Sequence, residues 1–240
     1  LYRLVGSEMC IRDRANSEQV NKLTTWAEEN RAQIRQMKPY YRAKVERING
    51  EKLAQYIQYP SDTSATLKRP IRLHFSDTIP ANNQLVSGQW WPENLSQEAA
   101  STEHLNRENL NREHLNRGNL QSWQKISVEQ EVMSDLALSL GDKLSLRFDQ
   151  EIIEFTIVAS HQFKSGAGSI TFWFQVPEYI KIQLNEAPLY MGSLELEDEA
   201  WAKLTTFWQA MPTLKMQSLR EITARFDSTL ALLTLSLIHI

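Results

Sequence analysis

Apolar residues recur at three- and four-residue spacing in several stretches of this chain and alternate with polar ones in others, a pattern that predicts an α+β fold. Val20, Leu23, Ala27 and Ile34 predict a helix from about Ser17 to Gln33, with Asn16 as its cap and Pro39 ending it. Tyr41, Ala43, Val45 and Ile48 then read as a strand reaching a tight turn at Asn49-Gly50. Further strands are predicted at Ile71–Phe75 and around Leu85-Val86. The run from Ile126 to Ser160 is the most complete signal. It predicts a strand at Lys125–Val128 and then a helix capped by Ser127 and Gln130. The helix carries Val128, Val132, Leu136 and Leu140, and Gly141 closes it. Leu144–Phe148 and Ile153–Ile157 alternate on either side of Asp149-Gln150, as the arms of a hairpin do. A second hairpin is predicted from Phe163 to Val176, turning through Ser165–Gly168. Its arm Ile170–Val176 is the most strongly β-forming run in the chain. Asp198 caps a predicted helix bearing Trp201, Leu204 and Trp208, which stops at Met211-Pro212. A short strand at Leu214–Met216 follows. Ser218 with Glu221 then opens a helix striped by Leu219, Ile222, Phe226, Leu230 and Leu233.

The two ends change how this pattern is used. Leu4–Asp13, LVGSEMCIRD, matches the translation of a transposon-type sequencing adapter, and Leu235–Ile240, LSLIHI, matches that of its reverse complement. Residues 1–14 and 235–240 are therefore expected to be non-native and are left out of the fold prediction. Without them the segment has no cysteine, since Cys10 is the single one, and so no disulfide framework or thiol chemistry. Of 26 basic and 29 acidic residues, 23 and 27 remain, a net charge of −4. That balance gives no support to nucleic-acid binding, which calls for a basic face. The apolar run Leu230–Ile240 falls well short of the ~20 residues that a membrane-spanning helix needs.

The order of elements predicts a nested architecture. Residues 15–60 and 193–228 form an outer α+β lobe, and residues 67–185 form a β-rich lobe inserted into it. Residues 229–234 belong to the helix opened at Ser218. The first strand of the outer lobe is expected to lie upstream of Ala15 and to be missing, leaving a weakened sheet edge. A low-complexity insertion at 103–122 repeats EHLNR, ENLNR, EHLNR and GNLQS, with leucine at Leu105, Leu110, Leu115 and Leu120. A five-residue step turns successive leucines by about 140° on a helix and sends them to alternate faces of a strand, so neither element gains a buried face. The insertion is expected to be solvated.

Candidate chemistry is sparse. The chain has no phosphate-binding glycine loop, no dinucleotide fingerprint, no nucleophile-elbow motif and no paired-histidine zinc motif, so no cofactor and no metal are predicted. His104 and His114 lie in the repeat without further ligands at metal-binding spacing. His161 could meet a serine and a carboxylate in space, and His74 is expected to be half-exposed in its strand. Most of the aromatic residues are expected to fill cores. In Phe172-Trp173-Phe174, strand alternation turns Trp173 away from its neighbours, which makes Trp173, with Trp90 and Trp91, the predicted partner or ligand contact.

Three blocks carry a family resemblance over most of Ala15–Thr234. They are ANSEQV with PYYRAKVERING (Pro39–Gly50), LKRPIRLHFSDTIPANNQLVSGQWW (Leu67–Trp91) and SVEQEVMSDLALSLGDKLSLRF (Ser127–Phe148). In this order they resemble the periplasmic domain of FtsX/MacB-type ABC transporter permeases of the YbbP-like branch. Departures are Lys68-Arg69-Pro70, where the family tends to show Asn-Arg-Glu, and the insertion after Trp91. The resemblance implies a MacB-like periplasmic core in an inner-membrane permease, non-catalytic itself, with the helix at residues 229–234 leading toward a transmembrane span. The implied partners are a cytoplasmic ABC ATPase and a periplasmic hydrolase or lipid client. Two alternatives stand beside it: a free-standing periplasmic module binding an apolar ligand, and an envelope hydrolase built on His161 or His74.

Overall fold

The structure of the chain is a computed structural model that describes residues 7–92, 124–164, 170–184, 186–211 and 215–218. The repeat at 103–122, Trp123, the turn at 165–168, the helix expected after Ser218 and residues 229–240 lie outside these. In chain order the elements run β1 (Ser7–Ala15), α1 (Ser17–Glu29), β2 (Gln33–Ile48), β3 (Glu51–Lys52), α2 (Leu53–Tyr56), α3 (Asp62–Leu67), β4 (Ile71–Phe75) and β5 (Asn83–Gly88). They continue with β6 (Lys125–Glu129), α4 (Gln130–Asp135), β7 (Lys143–Phe148), β8 (Glu151–Phe163), β9 (Phe174–Val176), a 3₁₀ turn (Glu178–Gln183), β10 (Leu189–Leu196), α5 (Asp198–Gln209) and β11 (Lys215–Ser218). The fold class is α+β. The described residues separate into two units, one holding 7–39, 170 and 187–218, the other 40–164 and 171–186. Residues 40–60, grouped with the outer lobe on sequence, lie in the second unit, because β2 crosses from one unit to the other at Pro39.

In the first unit, Asn16 and Gln19 form a reciprocal capping box at the start of α1, each side chain accepting from the other residue's backbone N–H. The helix ends at Glu29, earlier than the predicted Gln33. Arg31 turns into the left-handed region (φ 55°), and Ala32 N–H closes back on Ala27 O at 2.9 Å. Pro39 does not end this helix but lies inside β2. The pairing of β2 with β4 begins one residue later, at Tyr40, so the missing proline N–H falls just outside that ladder. Leu194 and Leu196, on one face of β10, join Leu23, Trp26 and Ala27 of α1 and Ala200 and Leu204 of α5 in a single core. Trp26 stacks on Phe207 at 5.0 Å within this layer.

Ser7–Ala15 pairs antiparallel with both β10 and β11. The strand position expected to be vacant is thus filled, by residues set aside on sequence as non-native. The physical reason is that ladder hydrogen bonds are made by backbone, so any extended, uninterrupted segment can complete them.

The second unit is organised around β8, which pairs antiparallel with β7 over Glu151–Thr156 and with β5 over Ala159–Phe163, and parallel with β6. Its main core joins Tyr41, Val45, Leu73, Phe75, Ile126, Val128, Leu144, Leu146, Phe155, Ile157, Phe174 and Val176 with Val132, Met133 and Leu136 of α4. The turn at Asn49-Gly50 has both residues at positive φ (50° and 82°), as the sequence demanded. The predicted hairpin to Val176 does not form. β9 is only Phe174–Val176 and pairs parallel with β4 and antiparallel with β6, because β8 already spends both its edges on β5, β6 and β7. The helix predicted to run to Gly141 is only Gln130–Asp135. It closes on Ala137 (φ 51°), with Leu138 N–H on Met133 O and Ala137 N–H on Ser134 O.

Two substitutions test this backbone reading by urea unfolding. Gly88 sits at φ 77°, and a Cβ there would lie 2.1 Å from Val158 O, so Gly88→Ala is expected to cost at least about 2 kcal/mol. Ala137→Gly relieves a left-handed alanine and is expected to stabilise by about 0.5–1 kcal/mol.

Candidate functional site

One extra residue in β8 creates the polar cluster of the second unit. Opposite β6, Ile126 faces Ile157 but Ser127 faces Ala159, so Val158 is a bulge. Ile153, Phe155 and Ile157 point into the main core, and uninterrupted alternation would send His161 after them. The bulge reverses the alternation and places His161 beside Ser127 on the opposite face.

There His161 Nδ1 lies 2.8 Å from Ser127 Oγ and Nε2 lies 3.1 Å from the Phe172 carbonyl, with both side chains fully buried. A carbonyl only accepts, so Nε2 carries the proton, Nδ1 is the acceptor and the Ser127 hydroxyl donates to it. Burial holds the imidazole neutral, its pKa lowered to about 4. Next to it, His74 Nδ1 lies 2.8 Å from Gln175 Oε1 and its ring stacks on Phe172 at 5.0 Å. His74 is therefore buried, not half-exposed as its strand pattern predicted, because Phe172 covers the second face of the sheet. The serine foreseen near His161 is present, as Ser127. The far ring nitrogen meets a backbone carbonyl where a hydrolytic triad would place a carboxylate, and solvent does not reach the hydroxyl. The pair fastens Phe172 to the sheet.

The other side of β8 faces α4. Ser160 donates to Gln130 Oε1 at 2.8 Å, so its single proton is used and Ser87, 2.8 Å away, must donate to it. Ser87 and Gln130 line a groove of about 480 Å³, together with Met133, Ser134, Ala137, Leu138, Ser139 and Leu140. Glu129 caps α4, one carboxylate oxygen accepting from Glu131 N–H (2.8 Å) and Val132 N–H (3.1 Å). This is the role predicted for Ser127, whose hydroxyl is taken by His161. Burial pushes the Glu129 carboxyl above its ordinary range, against the opposing pull of these N–H donors.

The predicted contact residues fall at two places. Trp90 and Trp91 stack at 4.1 Å and donate their ring N–H groups to Asp77 O (3.1 Å) and Ser76 O (3.0 Å), just past the end of β4. Trp91 is buried and Trp90 half-buried. Trp173 precedes β9, whose Phe174 pairs with Leu73, so it sits toward the other end of the β4–β9 ladder, half-buried against the main core. Sequence reasoning missed the groove and the Ser87–Ser160–Gln130 chain. The one signal available was the polar Ser160-His161 pair ending an otherwise alternating strand. Among the described residues no three His, Cys, Asp or Glu side chains are grouped as a metal site needs, and no helix is long and apolar enough to cross a membrane.

No protein-family model matches this chain, and no curated protein matches it. Among solved structures it is similar to "a domain of a putative Permease protein" from Porphyromonas gingivalis, with 10% identity and a TM-score of 0.30 over 89% of this chain and 86% of that one.

The buried imidazole gives a pH signature. A histidine pKa depressed from about 6.5 in the unfolded chain to about 4 in the folded one means that the unfolded state binds more protons between these values. Its contribution is complete above about pH 6.5 and is lost as pH falls toward 4. Between pH 7.5 and 5, wild type is expected to lose about 2 kcal/mol more stability than His161→Gln, measured by urea unfolding. Equal losses in the two proteins would contradict the buried neutral ring.

Proposed function

We propose that this chain is a non-catalytic, extracytoplasmic domain of an inner-membrane ABC transporter permease, one that carries movement of transmembrane helices to a periplasmic client or a hydrophobic, lipid-like cargo. The observation that carries the reading is the nested path of the chain: residues 7–39 and 187–218 belong to one unit, and the second unit is made from the residues between them. A path that leaves one unit and re-enters it suits a domain suspended between two membrane segments. The three sequence blocks support it further, since each coincides with a structural module. ANSEQV is the capped start of α1 and PYYRAKVERING is the later part of β2 with its turn, LKRPIRLHFSDTIPANNQLVSGQWW is the β4–β5 passage, and SVEQEVMSDLALSLGDKLSLRF is the β6–α4–β7 passage.

In this reading ATP is hydrolysed by a separate cytoplasmic subunit and the domain performs no bond chemistry. The expected response to ATP is a rigid-body displacement. Trp173, Trp90 and Trp91 are the candidate contacts for a periplasmic client, with an envelope hydrolase as a candidate recipient. Sealing of the Ser127–His161 pair supports this over the hydrolase alternative.

Expression of the uncut coding sequence, followed by membrane fractionation, tests the proposal. The product is expected in the membrane fraction, with apolar segments of ~20 residues on both flanks and a co-purifying subunit that hydrolyses ATP. A product released into solution and lacking any such segment would sink it.

A further inference from the structure

We propose that the groove between β5 and α4 is a binding site for a neutral amphiphile, with an aliphatic chain lying on Met133, Leu138 and Leu140 and an uncharged polar head at Gln130 and Ser139. The inference concerns the second unit alone and does not depend on the transporter reading.

Three observations select this occupant. First, none of the groove's lining residues is charged. An anion would give up its hydration there against the Asp142 carboxylate, and both oxygens of that carboxylate already accept, from Asn49 Nδ2 and Ser139 N–H, so the complementary ligand is neutral. Second, the lining is divided by chemistry. Met133 and Leu138 are nearly buried and make an apolar floor, while Leu140 stands 45% exposed beside it, a large aliphatic side chain held half in solvent. On the polar side, Ser160 occupies Gln130 Oε1, which leaves the Gln130 amide with its N–H donors for a ligand. Ser134 is spent on the Gln130 carbonyl at 3.0 Å, so Ser139 supplies the further hydroxyl.

Third, the strand beside the groove argues against a peptide. β5 pairs with β8 on one side, and among the described residues no strand lies on its other side. Its pairing with β8 steps from Leu85↔His161 to Ser87↔Ser160, so Val86 is a bulge. A bulge breaks the even run of backbone donors and acceptors that an added strand needs, and it re-aims the residue beside it, here Ser87 at the groove. Ala137, left-handed as Arg31 is at the end of α1, lines the groove with its methyl group. It provides a clean test.

The probe is n-octyl glucoside below its micellar concentration, titrated into the full chain by calorimetry, with sodium octanoate and glucose as comparisons. Saturable binding of one molecule per chain is expected, with octanoate at least about tenfold weaker and glucose without effect. Leu140→Lys, at an exposed position, is expected to weaken octyl glucoside at least about tenfold. Ala137→Gly removes one methyl from the lining and is expected to weaken it about three- to fourfold without lowering the melting temperature, which separates loss of contact from loss of fold. Non-saturating uptake, equal affinity for octanoate, or binding indifferent to both substitutions would overturn the proposal. So would sedimentation showing that the detergent acts by splitting a dimer closed over the groove.

Discussion

The second unit depends on a single inserted residue. Val158 makes β8 longer than its partner β6 by one position, and three consequences follow from that local fault in the ladder. The edge of β8 passes from β7 to β5, with Ile157 still bonded to the β7 side through Gly141 N–H and Asp142 O, and Val158 O already accepting from Gln89 N–H. The close approach leaves room only for a glycine at position 88. Side-chain alternation reverses, so that one strand supplies aliphatic residues to the main core from its first half and a histidine to the opposite face from its second.

Because the faces differ, so does the physics that holds them. The main core is closed by apolar burial from strands on one side and α4 on the other, a non-directional force that tolerates repacking. The second face is closed by a hydrogen-bonded and stacked arrangement in which Ser127, His161, His74 and Gln175 each have a specific partner. Buried polar groups of this kind stabilise only when every member is satisfied, which makes the face exacting about geometry and sensitive to proton uptake. Asn83 is the exception, its side-chain amide buried at the start of β5 without a partner among the described residues.

The first unit shows a different economy. Its sheet accepts Ser7–Ala15 as a central strand, while its core is assembled from α1, α5 and one face of β10. Exposed ion pairs such as Arg35 with Glu195 lie at its surface and contribute little beside that core.

Local chemistry was legible in the sequence. The Asn16 cap, the turn at Asn49-Gly50, the strands Ile71–Phe75 and Leu144–Phe148, the helix over Trp201 and Leu204, and the α+β class all follow from contacts within a few residues. Other features were decided by partners distant in the chain. Pro39 lies within a strand because the pairing with β4 begins only at Tyr40, and Glu129 caps α4 because Ser127 is claimed by His161, 34 residues on. Phe172 is buried by two histidines from other strands rather than by a hairpin of its own. A period of two tells which face a residue takes only while the ladder is unbroken, and a bulge leaves no mark in the pattern that precedes it. The sequence therefore determined which segments are extended or helical. Tertiary pairing decided which face His161 sees, and with it the polar cluster and the groove.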